Sequence, residues 1–250
     1  MNPPPAEIGA PVAEVETPAL LIELDAFDRN IARMAEFART AGVRVRPHAK
    51  THKSTAIALR QIALGAVGQC VQKVGEDAVR ETLEALAAEN LPCEIIGGAG
   101  TGTFAIEAAS GVYNELQVGS YVFMDTEYAR IHGSDGRPYA EFEHSLFVLA
   151  SVISVPTADR AIVDAGLKSY SAERGPPWVH DRPDVEVTGV SDEHGKLKVG
   201  PRARPLSLGE KVWLIPGHCD PTVNLHDWYV GVRKGRVETL WPINARGASI

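Results

Sequence analysis

The stretch PALLIELDAFDRNIARMAEFARTAGVRVRPHAK, residues 18–50, decides the fold. "PALLIEL" is an apolar run of strand length. The next residues place Ile31, Met34, Ala35 and Ala38 at helical spacing. Asp25 is positioned to cap that helix and Gly42 to stop it. "VRVRPHA" then reads as a short strand that ends at Lys50. In parallel α/β folds, the carboxyl ends of strands are where active-site residues gather.

The same rhythm continues outward. "STAIALRQIALGA" reads as an amphipathic helix and "VGQCVQKV" as a strand. "EDAVRETLEALAAEN" reads as a helix, and "PCEIIGG" as a strand ending in glycines. Strands alternating with helices through short loops indicate a parallel sheet covered by helices. Beyond residues 130–145 the pattern changes. "SLFVLASVISV", "RAIVDAGL", "VEVTGVSDEHGKLKV", "EKVWLIPG" and "WYVGVRKGRVETLWPI" are strand-like runs, with hairpin turns expected at "DEHGK" and "RKGR". The expected division is a disordered lead-in over 1–16, an α/β part over 17–135 whose first strand is free to join the β domain, and a β domain over 136–250.

Bulk composition narrows the function classes. The 250 residues carry a net charge of -7, which argues against nucleic acid as the main partner. Apolar residues make up 44% and charged residues 23%, as in ordinary globular proteins. Cys70, Cys93 and Cys219 are too widely spaced for a disulfide framework. The first residues lack a signal-peptide pattern, and no apolar run is long enough to span a membrane. A cytoplasmic protein with no membrane partner is the expectation.

Three stretches could carry chemistry. "RPHAKTHKS" (46–54) holds Arg46, His48, Lys50, His52 and Lys53. A partly desolvated Lys50 could form a Schiff base with a carbonyl cofactor; the alternative is a set of solvated loop charges. "GGAGTGT" (97–103) could cradle phosphate with its backbone amides, or be a turn; it fits neither the P-loop nor the dinucleotide fingerprint. In "GHCDPTVNLHD" (217–227), His218 and Asp220 would share one side of an extended chain and offer half a divalent-ion site, with Cys219 pointing away. His226 and Asp227, adjacent in sequence, suit structural roles better. Gln72, Asp164 and Cys70 are weaker candidates.

In order, "TPALLIELDAFDRNIARMAEF", "RPHAKTHKS", "CVQKV", "GGAGTGT", "GVYNELQVGSYVFMD", "VDAGLKS", "SDEHG" and "PGHCDPTVNLHDWYVGV" resemble the D-threonine aldolase and D-serine dehydratase family of pyridoxal-phosphate enzymes. "RIHGSDGR" and the ending from Gly217 to Gly247 are most similar to its 3-hydroxy-D-aspartate aldolase members. The resemblance covers nearly all of residues 17–247. It implies an alanine-racemase-like fold: a TIM-type barrel plus a C-terminal β domain.

The resemblance also implies roles. Lys50 would hold pyridoxal 5'-phosphate and act as the catalytic lysine, with Lys53 a bystander. Thr101, Gly119 and Ser120 would hold the phosphate, and Gln72 would contact the cofactor. His218 and Asp220 would hold a divalent metal: Mg or Mn, with Zn also admissible. The implied reaction cleaves a β-hydroxy-D-amino acid, 3-hydroxy-D-aspartate or D-threonine, to glycine and an aldehyde. A D-serine-type dehydratase is the alternative, but the related dehydratases tend to carry cysteine where Asp220 stands. A homodimer is compatible with the family.

One departure stands out. "VQKVGEDAVRETLEALAAEN" runs almost directly into "LPCEIIGGAG", so the third to sixth strand–helix units of the barrel are missing from the sequence. With them go the family's mid-barrel arginine beside the cofactor ring and a later Tyr-His or Tyr-Gln pair near the substrate. The expected fold is therefore an incomplete TIM-type barrel with a C-terminal β domain. A catalytically silent homologue, or a subunit completed by a partner, is the third reading.

Overall fold

The structure, a computed structural model, describes residues 2–70, 94–133 and 136–247. The expected helix over "EDAVRETLEALAAEN", together with Gln72 and Cys93, lies outside the described residues.

Strand β1 (Ala19–Glu23) and helix α1 (Leu24–Ala41) follow each other without a loop. The cap of α1 is Glu23 and not Asp25: the Glu23 carboxylate accepts from the amides of Asp25 and Ala26. Strand β1 runs straight into the helix, so the last strand residue fills the capping position. Phe27, Ile31, Met34 and Ala38 form the buried face of α1. Gly42 ends the helix at φ 68°, a left-handed conformation that glycine adopts at little cost.

The parallel part is an arc of very short strands. β2 (Arg44–Val45), β3 (Gly97–Gly98) and β4 (Glu115–Leu116) lie in the order β2-β4-β3, all parallel. On the other side of β2, His48 forms a parallel bridge to Cys70. Helices α2 (Thr55–Ala63) and α3 (Phe104–Ala109) follow the Lys50 loop and the glycine turn. Numbered around an eight-stranded barrel that starts at β2, the lateral order Cys70–β2–β4–β3 is 2-1-8-7. That is the order left when strands three to six are taken from the middle of a closed barrel. Val45 and Leu116 face the helix side and the main core. Alternation puts Arg44, Arg46, Glu115 and Gln117 on the opposite face. There the Glu115 side chain is only 2% exposed and takes a bidentate pair of bonds from Arg46, at 2.6 and 3.1 Å.

The β part is a sheet of nine strands in the order β10-β7-β8-β9-β6-β5-β1-β11-β12, with β10 also paired to β5. That extra pairing closes β5 to β10 into a six-stranded barrel. Its strands are β5 (Leu146–Thr157), β6 (Arg160–Val163), β7 (Trp178–Val179), β8 (Val185–Val190), β9 (Gly195–Val199) and β10 (Lys211–Ile215). β8 and β9 form the hairpin expected at "DEHGK". β11 (Trp228–Arg233) and β12 (Arg236–Pro242) form the one at "RKGR", where Lys234 and Gly235 take φ values of 49° and 74°. β1 sits in this sheet, antiparallel to β5 and parallel to β11.

The first residues depart from the expectation of a disordered lead-in. The Gly9 and Val12 amides donate to the carbonyls of Val237 and Gly235, and Val12 and Val15 are buried against Phe147 and Val230. Apolar side chains spaced along the proline-rich segment give it a face to bury, which composition alone concealed.

The main core ties the two parts together. Leu20, Ile22, Phe27, Phe123, Leu146 and Tyr229 belong to one buried cluster with Val45, Leu116 and Val118. Phe123 packs against Phe27 and Tyr229 at centroid separations of 6.3 and 5.6 Å. This fixes the carboxyl end of the arc against the β domain.

Candidate functional site

Lys50 leaves β2 on the loop Pro47–Ser54, at the carboxyl end of the arc. The loop is held from several directions. His48 N and Ala49 N donate to the carbonyls of Val118 and Cys70. The Tyr229 hydroxyl donates to His52 O, and Ala245 N to Lys53 O. His52 is buried. Its Nδ1 accepts from Ser54 N, which leaves the proton on Nε2, facing Gln69 Oε1 at 3.3 Å. Gln69 in turn donates to Gln61, and Gln61 to the Tyr121 hydroxyl. Burial pushes the His52 imidazole down to about 4. His52 is therefore a neutral strut under the Lys50 loop.

The second component comes from the β domain. The expectation of an extended His218–Asp220 pair is not met. Helix α5 (Cys219–Val223) begins there, with His218 as its N-cap and Asp220 in its first turn. The two side chains nevertheless serve one site. Asp220 Oδ2 lies 3.6 Å from Lys50 Nζ. Asp220 Oδ1 is buried and has no hydrogen-bond partner among the described residues. His218 Nδ1 meets Glu173 Oε1 at 2.7 Å, which leaves Nε2 as its remaining donor atom. Cys219 does point away, with its buried thiol donating to Met124 O. Burial raises that thiol well above its ordinary range.

The third component is the glycine turn and its neighbour. Thr101 Oγ1 accepts from Tyr121 N, which brings the "GGAGTGT" turn onto the Gly119–Ser120 segment. The Tyr128 hydroxyl engages Thr101 and Ser120, and burial pushes it up to about 12. Gly119 lies directly over the Lys50 loop, where a Cβ would come within 2.6 Å of Thr51 Oγ1. That hydroxyl is buried and, among the described residues, has no hydrogen-bond partner. Asp125 caps helix α4 (Thr126–Ala129) and also accepts from Cys219 N, joining this component to the His218–Asp220 segment.

The structure thus brings Lys50, Thr101, Gly119, Ser120, His218 and Asp220 into one region, while Gln72 lies outside the described residues. His226 is structural, its Nε2 donating to Ser169 O, and Asp227 pairs with Arg246 and Asn2. Asp164 serves the fold, accepting from Ser151 N and the Thr17 hydroxyl.

Sequence reasoning missed several participants. Lys53, expected to be a bystander, donates its ammonium to the carbonyls of Lys50 and Asp220. Glu173 gave no signal, since it lies in a loop 45 residues before its partner. Tyr128 gave no signal either: it lies three positions beyond the end of the block "GVYNELQVGSYVFMD", between two stretches that carry the resemblance. No group of three or more His, Cys, Asp or Glu side chains converges as a metal cluster among the described residues. A divalent ion here would rest on two protein donors. Even so, the orphaned Asp220 oxygen and the remaining His218 nitrogen fit one. The packed Gly119–Thr51 approach and the unpartnered Thr51 hydroxyl fit a phosphate-bearing cofactor beside Lys50. No described helix is long and apolar enough to cross a membrane.

Residues 145–232 match the family described as putative serine dehydratase domain. The 3-hydroxy-D-aspartate aldolase of Paracoccus denitrificans is 33% identical, over 97% of this chain and 95% of the relative. A D-threonine aldolase from an Arthrobacter species is 35% identical, over 99% and 97%. Each alignment spans 370 positions, more than the 250 residues of this chain, so stretches of each relative face no residue here. The crystal structure of D-threonine aldolase from Filomicrobium marinum superposes with a TM-score of 0.91 at 34% identity, covering 100% of both chains. On this similarity and the alanine-racemase-like fold, the chain belongs to the family of D-threonine aldolases, 3-hydroxy-D-aspartate aldolases and D-serine dehydratases.

Proposed function

We propose that this chain is an aldolase dependent on pyridoxal phosphate and a divalent metal, which cleaves β-hydroxy-D-amino acids to glycine and an aldehyde. The observation that carries this reading is the approach of Lys50 Nζ to Asp220 Oδ2, 3.6 Å apart although 170 positions separate them in the chain. A primary amine at the carboxyl end of a parallel arc, facing a carboxylate with an unpaired oxygen, suits carbonyl-cofactor chemistry beside a cation.

When bound, pyridoxal phosphate supplies an electron sink for charge developing at Cα, and the metal lowers the pKa of the substrate's β-hydroxyl. The chain's own residues do the rest. Lys50 would hold the cofactor and yield its place to the substrate amine. Thr101, Gly119 and Ser120 would bind the phosphate, with the Tyr128 hydroxyl beside them. His218 and Asp220 would hold the metal, and Glu173 would fix the tautomer and ring orientation of His218. Loss of the hydroxyl proton then lets the Cα–Cβ bond break. The aldehyde leaves, glyoxylate from 3-hydroxy-D-aspartate or acetaldehyde from D-threonine, and a proton delivered to Cα completes glycine.

Product analysis tests the reading. The purified chain with pyridoxal phosphate and Mn²⁺ should form glycine and aldehyde in equal amounts from one of the two substrates. Ammonia and a keto acid would instead make it a dehydratase, an outcome that Asp220 in place of cysteine disfavours. One observation favours another reading, a silent homologue or a subunit completed by a partner chain: the relatives' alignments are longer than this chain. No product from the chain alone would favour that reading.

A further inference from the structure

Lys53 occupies an unusual position. Its backbone is left-handed, with φ 48°, a conformation that non-glycine residues seldom adopt. Its side chain turns back and donates to the carbonyl of Lys50, then to the carbonyl of Asp220 at 2.9 Å. Its own carbonyl accepts from Ala245 N at 3.1 Å. One residue therefore touches the main chain of Lys50, the main chain of Asp220 and the chain after the last strand. Burial and the neighbouring Lys50 ammonium lower its pKa, while Asp220 opposes that shift. A desolvated cation on a strained backbone is costly to keep where a solvated loop charge would serve.

We propose that Lys53 is a positioning residue. By bridging the carbonyls of Lys50 and Asp220, its ammonium sets the distance between the cofactor lysine and the metal-pair carboxylate. This rests on the aldolase reading above. It assigns Lys53 no contact with substrate. The separation it holds, 3.6 Å between Lys50 Nζ and Asp220 Oδ2, is an ion pair that joins the two stretches. Lysine suits the task because a tetrahedral ammonium can donate to two carbonyls from one atom.

The test is a Mn²⁺ titration of K53M, K53R and wild type, in each case loaded with pyridoxal phosphate. The sign of the effect is decisive. A cation without a positioning role merely repels the metal, so its removal would tighten binding. A positioning role predicts that K53M weakens Mn²⁺ binding about tenfold, the lower end for residues that orient metal ligands. In K53M, kcat should also fall at saturating metal, and K53R, whose guanidinium can donate to both carbonyls, should recover most of both properties. Cofactor uptake by K53M should stay within about threefold of wild type. If K53M does not fold, K53Q takes its place with the same expected loss. Mn²⁺ affinity in the folded variant equal to or tighter than wild type would overturn the inference while leaving the aldolase reading intact. Wild type that takes up neither pyridoxal phosphate nor Mn²⁺ would overturn both.

Discussion

The arc and the β domain solve the problem of holding a site in opposite ways. In the β domain, strands of up to 12 residues pair in long registers, and six of them close on themselves. Closure removes sheet edges, the usual weakness of β structure. In the arc, β2, β3 and β4 have two residues each, and the remaining order is 2-1-8-7 of a closed barrel. Its integrity rests on side-chain bonds such as Arg46–Glu115, on the His52–Gln69–Gln61–Tyr121 chain and on the core it shares with the β domain. The β domain thus acts as the scaffold, and the arc as a platform docked on it. The platform carries Lys50, Thr101, Gly119 and Ser120; the scaffold carries His218 and Asp220.

That contrast can be broken at several points. The largest effect is expected at Lys50. Lys50→Ala should lower aldol cleavage by at least about a thousandfold, because it removes the residue proposed to anchor the cofactor. Its melting temperature should barely move, since the side chain is nearly half exposed. Steady-state kinetics and a thermal melt check both halves of that statement. Next comes the scaffold. Leu214 in β10 is fully buried, and Leu214→Ala should cost about 2–5 kcal/mol of stability in urea titrations. If the arc docks on the β domain, it should unfold in the same transition.

Acid should strain the platform. The His52 imidazole titrates at about 4 in the folded chain and near 6.5 when unfolded. Between those values the unfolded chain binds a proton that the folded chain does not. Stability is therefore full above about pH 6.5 and is lost as pH falls toward 4, by on the order of 3 kcal/mol. His144 and His226, also lowered by burial, act in the same direction. Denaturant titrations across this range should show the loss, and His52→Gln should remove one proton from its slope. The smallest effect is expected at Glu173. Glu173→Gln should weaken Mn²⁺ binding about tenfold and leave cofactor uptake unchanged, as read by calorimetry.

The β domain was the easier part to read from sequence. Its strands are mostly long, apolar and marked by glycine turns, and β5, β6 and β8 to β12 coincide with the runs picked out from residue 145 onward, while the two-residue β7 lies in none of them. The arc was legible by rhythm only: the strands shrink to two residues because loops and side chains carry much of the contact. The residues that converge on the candidate site were legible where a residue type and a motif coincide, as at Lys50, Thr101 and His218. They were not legible where a role depends on the path of the chain. Nothing local shows that Lys53 folds back on its own loop, that Glu173 meets His218, or that Asp220 begins a helix turn. Glu23, not Asp25, caps α1 because a strand enters the helix with no intervening residue.

On the proposed function, the shortened arc, docked on the β domain, still presents Lys50 as a cofactor lysine. A titration of the purified chain with pyridoxal phosphate, followed by visible absorbance alongside Lys50→Ala, tests it most directly. Saturable uptake at one equivalent per chain, lost in the variant, is the expected result. No uptake, or equal uptake by the variant, would contradict it.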